Sequence, residues 1–179
     1  MKLLLHVCCA PCSTKYIEAL REEGLEPTLF WYNPNIHPVT EYCSRRGAMI
    51  GYAEEIGAGL LLQDHYGLRP FVEAVSSDID HRCNYCYDTR LGATARYAAE
   101  NGYDGFSTTL LISPYQNHEL ICETGEKAAG QNGIRFIYRD FRPYFRQGQQ
   151  TARELGIYMQ KYCGCIFSEE DRYLGKHKK

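Results

Sequence analysis

Residues 2–13 read Lys2-Leu3-Leu4-Leu5-His6-Val7-Cys8-Cys9-Ala10-Pro11-Cys12-Ser13. A short apolar run breaks into a turn and is followed by a polar segment that reaches Gly24. The pattern predicts a buried strand over Lys2–Val7, then a helix from Ser13 to about Glu23, with Ser13 as N-cap. The same alternation repeats along the chain. Strands are predicted at Pro27–Tyr32, Leu60–Gln63, Gly105–Thr109 and Arg135–Tyr138. Helices are predicted at Val39–Ile56, Pro70–Val75, Cys83–Asn101, Tyr115–Ala129 and Gln147–Lys161. Strands alternating with helices imply an α/β fold, a three-layer Rossmann-like parallel sheet. In such sheets ligands bind beyond the carboxyl ends of the strands. Cys8, Asn33, Thr108-Thr109 and Asp140 all follow strands, so a metal site at that carboxyl edge is expected.

Cysteine content gives the site its chemistry. The chain has nine cysteines in 179 residues. Seven fall in three clusters: Cys8-Cys9-Ala10-Pro11-Cys12, Cys83-Asn84-Tyr85-Cys86 and Cys163-Gly164-Cys165. Thiolates select iron–sulfur clusters, zinc or copper(I) over magnesium or calcium. Seven exceed what one four-coordinate centre uses, so a four-thiolate cluster with a smaller metal site beside it is expected. The C-x-x-C pair alone is equally a zinc or a redox signature. Amides at a helix N-terminus lower thiol pKa values, which favours Cys8, Cys9 and Cys12 as ligands. Cys43 and Cys122 lie inside predicted helices and read as buried small apolar residues.

Length predicts one domain over residues 1–179. No apolar run approaches the roughly 20 residues of a membrane-spanning helix. The apolar N-terminal stretch is shorter than the roughly 7–15 residues of a secretory signal. An odd cysteine count with adjacent cysteines is a poor disulfide framework, so a reduced, cytoplasmic protein is expected. The net charge of −2 is unevenly spread, because residues 139–179 carry nine Lys/Arg against five Asp/Glu. That basic C-terminal stretch suits a phosphate backbone as well as a solvated helix face. The P-loop and G-x-G-x-x-G patterns are missing, and Cys-Cys-Ala-Pro-Cys stands where an ATP pyrophosphatase loop would lie. A radical-SAM triad would need a cysteine at Lys15.

With these motifs in order, the chain resembles the QueH-type epoxyqueuosine reductases over nearly its whole length. The resemblance rests on Leu5-His6-Val7-Cys8-Cys9-Ala10-Pro11-Cys12, Tyr32-Asn33-Pro34-Asn35-Ile36-His37-Pro38, and Glu41-Tyr42 with Arg45-Arg46. It continues in Arg82-Cys83-Asn84-Tyr85-Cys86-Tyr87 with Arg90-Leu91, Ser107 to Tyr115, Asp140-Phe141-Arg142 and Tyr162 to Ser168. It implies reduction of the epoxide of epoxyqueuosine in tRNA to queuosine, with a [4Fe-4S] cluster and an adjacent mononuclear iron. Some relatives carry Asp at the position of Cys12.

On that reading Cys8, Cys9, Cys83 and Cys86 are assigned to the cluster, and Cys12, Cys163 and Cys165 to the lone iron. Asp140, His6 and Tyr115 are the catalytic candidates for proton transfer, with His37 on the same edge. Tyr32, Tyr85, Tyr87 and Tyr115 are candidates for stacking on a base. Arg139, Arg142, Arg146, Arg153, Lys161 and the Lys176–Lys179 tail are candidate phosphate contacts. The partners implied are tRNA carrying epoxyqueuosine and a one-electron donor such as ferredoxin or flavodoxin, with no membrane. The alternatives are a cluster-bearing tRNA thiolation enzyme and a zinc-bound RNA-interaction module.

Overall fold

A computed structural model describes residues 1–175. Its five strands are β1 (Leu3–His6), β2 (Thr28–Trp31), β3 (Leu60–Leu62), β4 (Gly105–Thr108) and β5 (Arg135–Phe136). All pair in parallel in the order β3-β2-β1-β4-β5. The helices are α1 (Ala10–Glu22), α2 (Val39–Glu55), α3 (Leu68–Val75), α4 (Arg82–Glu100), α5 (His118–Asn132), α6 (Phe145–Glu154) and α7 (Ile166–Leu174).

The strand order explains the layering. From β1 the chain runs outward through β2 to β3, then crosses back to β4 and β5. Parallel crossovers are right-handed, so the two directions place their helices on opposite faces. Accordingly α1 packs on α2 and α6, while α4 packs on α3 and α5. β1 is sandwiched between the layers, which is why Leu3, Leu4 and Leu5 are all buried although successive strand residues face opposite ways. Each such leucine contributes about 1.5–3 kcal/mol through burial. The three-layer parallel α/β fold expected from sequence is the one found.

Register carries the site. His6 lies level with Phe30 on one side and Thr108 on the other. The chain therefore leaves β1, β2 and β4 at one edge, with Cys8, Asn33 and Thr109 as neighbours. The order reverses at β1, so the crevice between β1 and β4 is the place where a parallel sheet accepts a ligand.

Several boundaries differ from the sequence reading. Helix α1 begins at Ala10, its N-cap is Cys9, and Pro11 stands in its first turn. The Ser13 hydroxyl donates back to the Cys9 carbonyl at 2.8 Å instead of capping the helix. Helix α5 begins at His118 because the Asn117 side chain accepts from the Leu120 amide, which leaves Tyr115 in the preceding turn. Helix α6 stops at Glu154, before Gly156 at φ 64°, so residues 157–165 form a loop, and α7 is a helix not predicted from the sequence. Cys43 is exposed and Cys122 half-buried, so neither is the buried apolar residue expected. No helix among the described residues is long and apolar enough to cross a membrane.

Candidate metal centre

Three helix N-termini deliver six of the seven clustered cysteines, and Cys163 lies in the loop two residues before the third. Cys8, Cys9 and Cys12 flank the start of α1, Cys83 and Cys86 lie in the first turns of α4, and Cys165 is the N-cap of α7. Each N-terminus carries partial positive charge from unpaired amides, which favours thiolate. All seven are free thiols.

The first group is tight. Cys8 and Cys9 sulfurs are 3.8 Å apart, and with Cys12 all three lie within 4.8 Å of one another. Metal–sulfur bonds of about 2.3 Å in a tetrahedron put the sulfurs about 3.8 Å apart. The triad therefore fits one mononuclear ion with a fourth position left over. Its sulfurs are held from outside: the Thr109 hydroxyl donates to Cys8 Sγ at 3.3 Å, and Gln160 Nε2 donates to Cys9 Sγ at 2.9 Å. Crowding sorts the thiols. Contacts from Cys12 and Cys9 hold Cys8 well below the ordinary thiol range. The same contacts from Cys8 and Cys9, with burial, push Cys12 well above it. Holding all three as thiolates together needs a cation.

The second group is Cys83, Cys86, Cys163 and Cys165. Burial and then the Cys163 and Cys165 sulfurs push Cys83 up. Burial pushes Cys86 up to about 12, opposed by Arg90 and reinforced by Cys163, Cys83 and Cys165. These four thus lie within electrostatic reach of one another. Arg90 sits between the groups. It is buried, its Nη2 donates to Cys86 Sγ at 2.8 Å, and its charge is felt by Cys86, Cys163 and Cys8. A buried guanidinium normally faces a carboxylate; this one faces sulfur, which is a suitable counter-ion once the sulfur is anionic.

The third cysteine motif is far from the others in sequence and is pinned by side chains of the 33–45 region. Arg45 donates to the carbonyls of Cys163 at 2.7 Å and Tyr162 at 3.0 Å, and forms a buried ion pair with Glu41 at 2.6 Å. Glu41 also accepts from the Tyr158 hydroxyl at 2.5 Å. The His37 amide donates to the Gly164 carbonyl, and His37 Nδ1 accepts from the Ile166 amide. Tyr162 closes the contact by donating to the His37 carbonyl at 2.7 Å. The turn before α2 and the C-terminal loop are one assembly.

Above the triad opens a cavity of about 330 Å³ lined by Cys8, Cys9, Cys12 and Cys163, with Arg45, Arg90, Tyr115, Gln116, Gln160 and Arg172 among its walls. Of the three catalytic candidates, Tyr115 lines this cavity. His6 is buried beneath it, bonded to Thr108 Oγ1 at 2.9 Å and Asn33 Oδ1 at 3.2 Å, and burial, with the Arg90 charge, lowers its pKa to about 4. Asp140 is paired with Arg142 at 2.7 Å, which holds its carboxyl at about 2, and it is absent from the cavity wall. Arg139 is paired with Glu23. The Lys176–Lys179 tail lies outside the described residues. Sequence reasoning missed Gln116 and Gln160. Gln116 donates to Cys163 Sγ at 3.1 Å while accepting from the Tyr87 hydroxyl. Gln160 has a buried Oε1 with no hydrogen-bond partner. Neither belongs to a periodic or cysteine motif, so only tertiary contact reveals them.

Comparison with known proteins gives the family of the chain. The family model described as Epoxyqueuosine reductase QueH matches residues 3–171. A protein of that name from Dehalococcoides mccartyi is 41% identical over 172 residues, covering 96% of this chain and 94% of its own. Its namesake from Thermotoga maritima is 36% identical over 183 residues, covering 95% and 91%. A solved structure described as a predicted subunit of tRNA methyltransferase from Methanocaldococcus jannaschii shares the fold, with TM-score 0.53 and 14% identity over 87% of this chain and 89% of that one. By the family model and by these relatives, the chain belongs to the epoxyqueuosine reductase QueH family.

Proposed function

We propose that this chain reduces the epoxide of epoxyqueuosine in tRNA to the alkene of queuosine, acting in the cytoplasm. The observation that carries the reading is the tight group of Cys8, Cys9 and Cys12, which with Cys163 lines one cavity, while Cys83, Cys86 and Cys165 lie within electrostatic reach of Cys163. The reaction takes two electrons and two protons, and the epoxide oxygen leaves as water. The donor set fits a [4Fe-4S] cluster and a lone iron. When bound, they supply electrons one at a time and a Lewis acid for the C–O bond. The electrons come from an external donor such as ferredoxin or flavodoxin.

Sulfur spacing favours a different split from the one assigned on sequence. Cys8, Cys9 and Cys12 would hold the single iron, since their separations match one tetrahedral ion. Cys83, Cys86, Cys163 and Cys165 would hold the cluster. The chain's own groups orient these ligands: Thr109 and Gln160 on the triad, Arg90 and Gln116 on the four. Cys163 is the one exposed member of the seven and faces the cavity, so the two groups share a common wall toward substrate. Tyr115 Oη, in the same cavity, is the proposed proton donor. Anaerobic reconstitution with iron and sulfide, followed by mass spectrometry of nucleosides from epoxyqueuosine-containing tRNA, tests the proposal. Conversion to queuosine supports it. A colourless protein that retains stoichiometric zinc and converts nothing would overturn it.

A further inference from the structure

We propose that Tyr115, braced by Phe145 at the mouth of the sulfur-lined cavity, stacks on an unpaired nucleobase of the RNA, and that Lys161 and Arg172 hold the adjoining phosphates. The inference rests on the tRNA reading above and adds the part of the surface that grips the loop.

Tyr115 is 85% exposed, more than any other large apolar side chain described. Folding gains almost nothing from a ring left in water, yet this ring is held. Its backbone amide donates to Ser113 Oγ at 3.3 Å, and its ring meets Phe145 edge-to-face at 5.5 Å and 82°. An edge-to-face contact covers at most one face of each ring, so Tyr115 keeps a face open to solvent. Single-stranded loops are recognised by stacking splayed bases on such rings. The cavity volume of about 330 Å³ sits at the small end of ligand pockets, room for one base and its arm. The neighbouring nucleotides must then lie at the mouth, where Tyr115 stands.

Charge supports the same occupant. Lys161 and Arg172 line the cavity, and neither forms an ion pair among the described residues. Other arginines of the C-terminal half, Arg139 and Arg142, are neutralised by Glu23 and Asp140. Positive charge on that wall, beside the aromatic pair, is thus open to a phosphate backbone, and Arg146 and Arg153 of α6 are exposed and likewise form no ion pair among the described residues.

The test is binding of a fluorescently labelled anticodon stem–loop RNA, with guanosine at the position to be modified, against a fully paired duplex of the same stem. Tyr115→Ala is expected to weaken stem–loop binding about 5- to 150-fold, the loss of one base–aromatic stack, and to leave duplex binding unchanged. Tyr115→Phe, which keeps the ring and removes the hydroxyl, is expected to bind within about twofold of wild type. Lys161→Gln and Arg172→Gln are each expected to reduce the slope of log K against log salt by about one. Equal stem–loop binding by wild type and Tyr115→Ala overturns the proposal. So does equal weakening on loop and duplex, or a Tyr115→Ala defect confined to reduction by an acidic electron-transfer protein. Wild-type conversion of epoxyqueuosine-containing tRNA is scored separately, so failure of the reductase reading is distinguishable from failure of the stacking site.

Discussion

Replacing Arg45 by methionine removes the clamp between α2 and the C-terminal cysteine loop. Arg45 is buried, pairs with Glu41 at 2.6 Å, and donates to the Cys163 and Tyr162 carbonyls. Without it, Glu41 is left as a buried carboxylate satisfied only by the Tyr158 hydroxyl and costs about 3–5 kcal/mol. The two carbonyls lose donors worth about 1 kcal/mol each, although such losses are not additive within one network. A net destabilisation of about 4 kcal/mol is expected, a large share of the roughly 5–15 kcal/mol that holds a domain of this kind. The assay is urea unfolding of metal-free protein under reducing conditions, followed by circular dichroism. Adding Glu41→Gln to Arg45→Met removes the stranded charge, so the double variant is expected to recover at least about 1 kcal/mol over Arg45→Met alone. The reasoning fails if Arg45→Met lies within about 1 kcal/mol of wild type, or if the second substitution only adds its own cost.

Other outcomes follow from the same geometry. Gln160→Leu removes the donor to Cys9 Sγ and also a buried, unpartnered oxygen; chelator competition should show metal at the triad held about 10- to 100-fold more weakly, with metal-free stability unchanged or raised. Arg90→Met should leave the metal-free protein as stable as wild type or more so, since its buried charge then lacks an anion. The same change should speed loss of iron from the loaded protein, read by absorbance during chelation. His37 is buried and its pKa is lowered to about 4, so as pH falls the unfolded chain takes the proton first. Stability is therefore full above about pH 6.5 and lost as pH drops toward 4, by up to about 3 kcal/mol from this residue. His37→Gln should reduce the fall of the urea midpoint across that window, the remainder coming from His6, whose pKa is likewise lowered to about 4; an unchanged pH slope would remove His37 as the cause.

Much of this was legible in the chain because the signals were local. Leu3-Leu4-Leu5 running into a turn reads as a strand buried on both faces, and short β-rich runs alternating with helical stretches point to the parallel sheet. Cysteine clustering pointed to thiols that could hold a metal, and Cys8, Cys9 and Cys12 do come together. What could not be read was how three helix starts meet. Sulfur spacing depends on backbone geometry, so the grouping of Cys12 with Cys8 and Cys9 emerged only in three dimensions. The same holds for Arg90 and Arg45, ordinary helix residues in sequence whose buried charges turn out to bind sulfur and the cysteine loop. The start of α5 shifted because Asn117 outcompetes residues near Tyr115 as a cap, and α7 escaped notice because it is only nine residues long and starts directly at the Cys163-Gly164-Cys165 motif, which was read for its metal chemistry.

The most direct measurement is iron and acid-labile sulfide per chain, after anaerobic reconstitution, for wild type, Cys12→Ala and Cys86→Ala. Wild type should hold roughly five iron and four sulfide. Cys12→Ala should lose about one iron and keep its sulfide, while Cys86→Ala should lose most of both. Sulfide lost with Cys12 and retained without Cys86 would contradict the three-plus-four division on which the account stands.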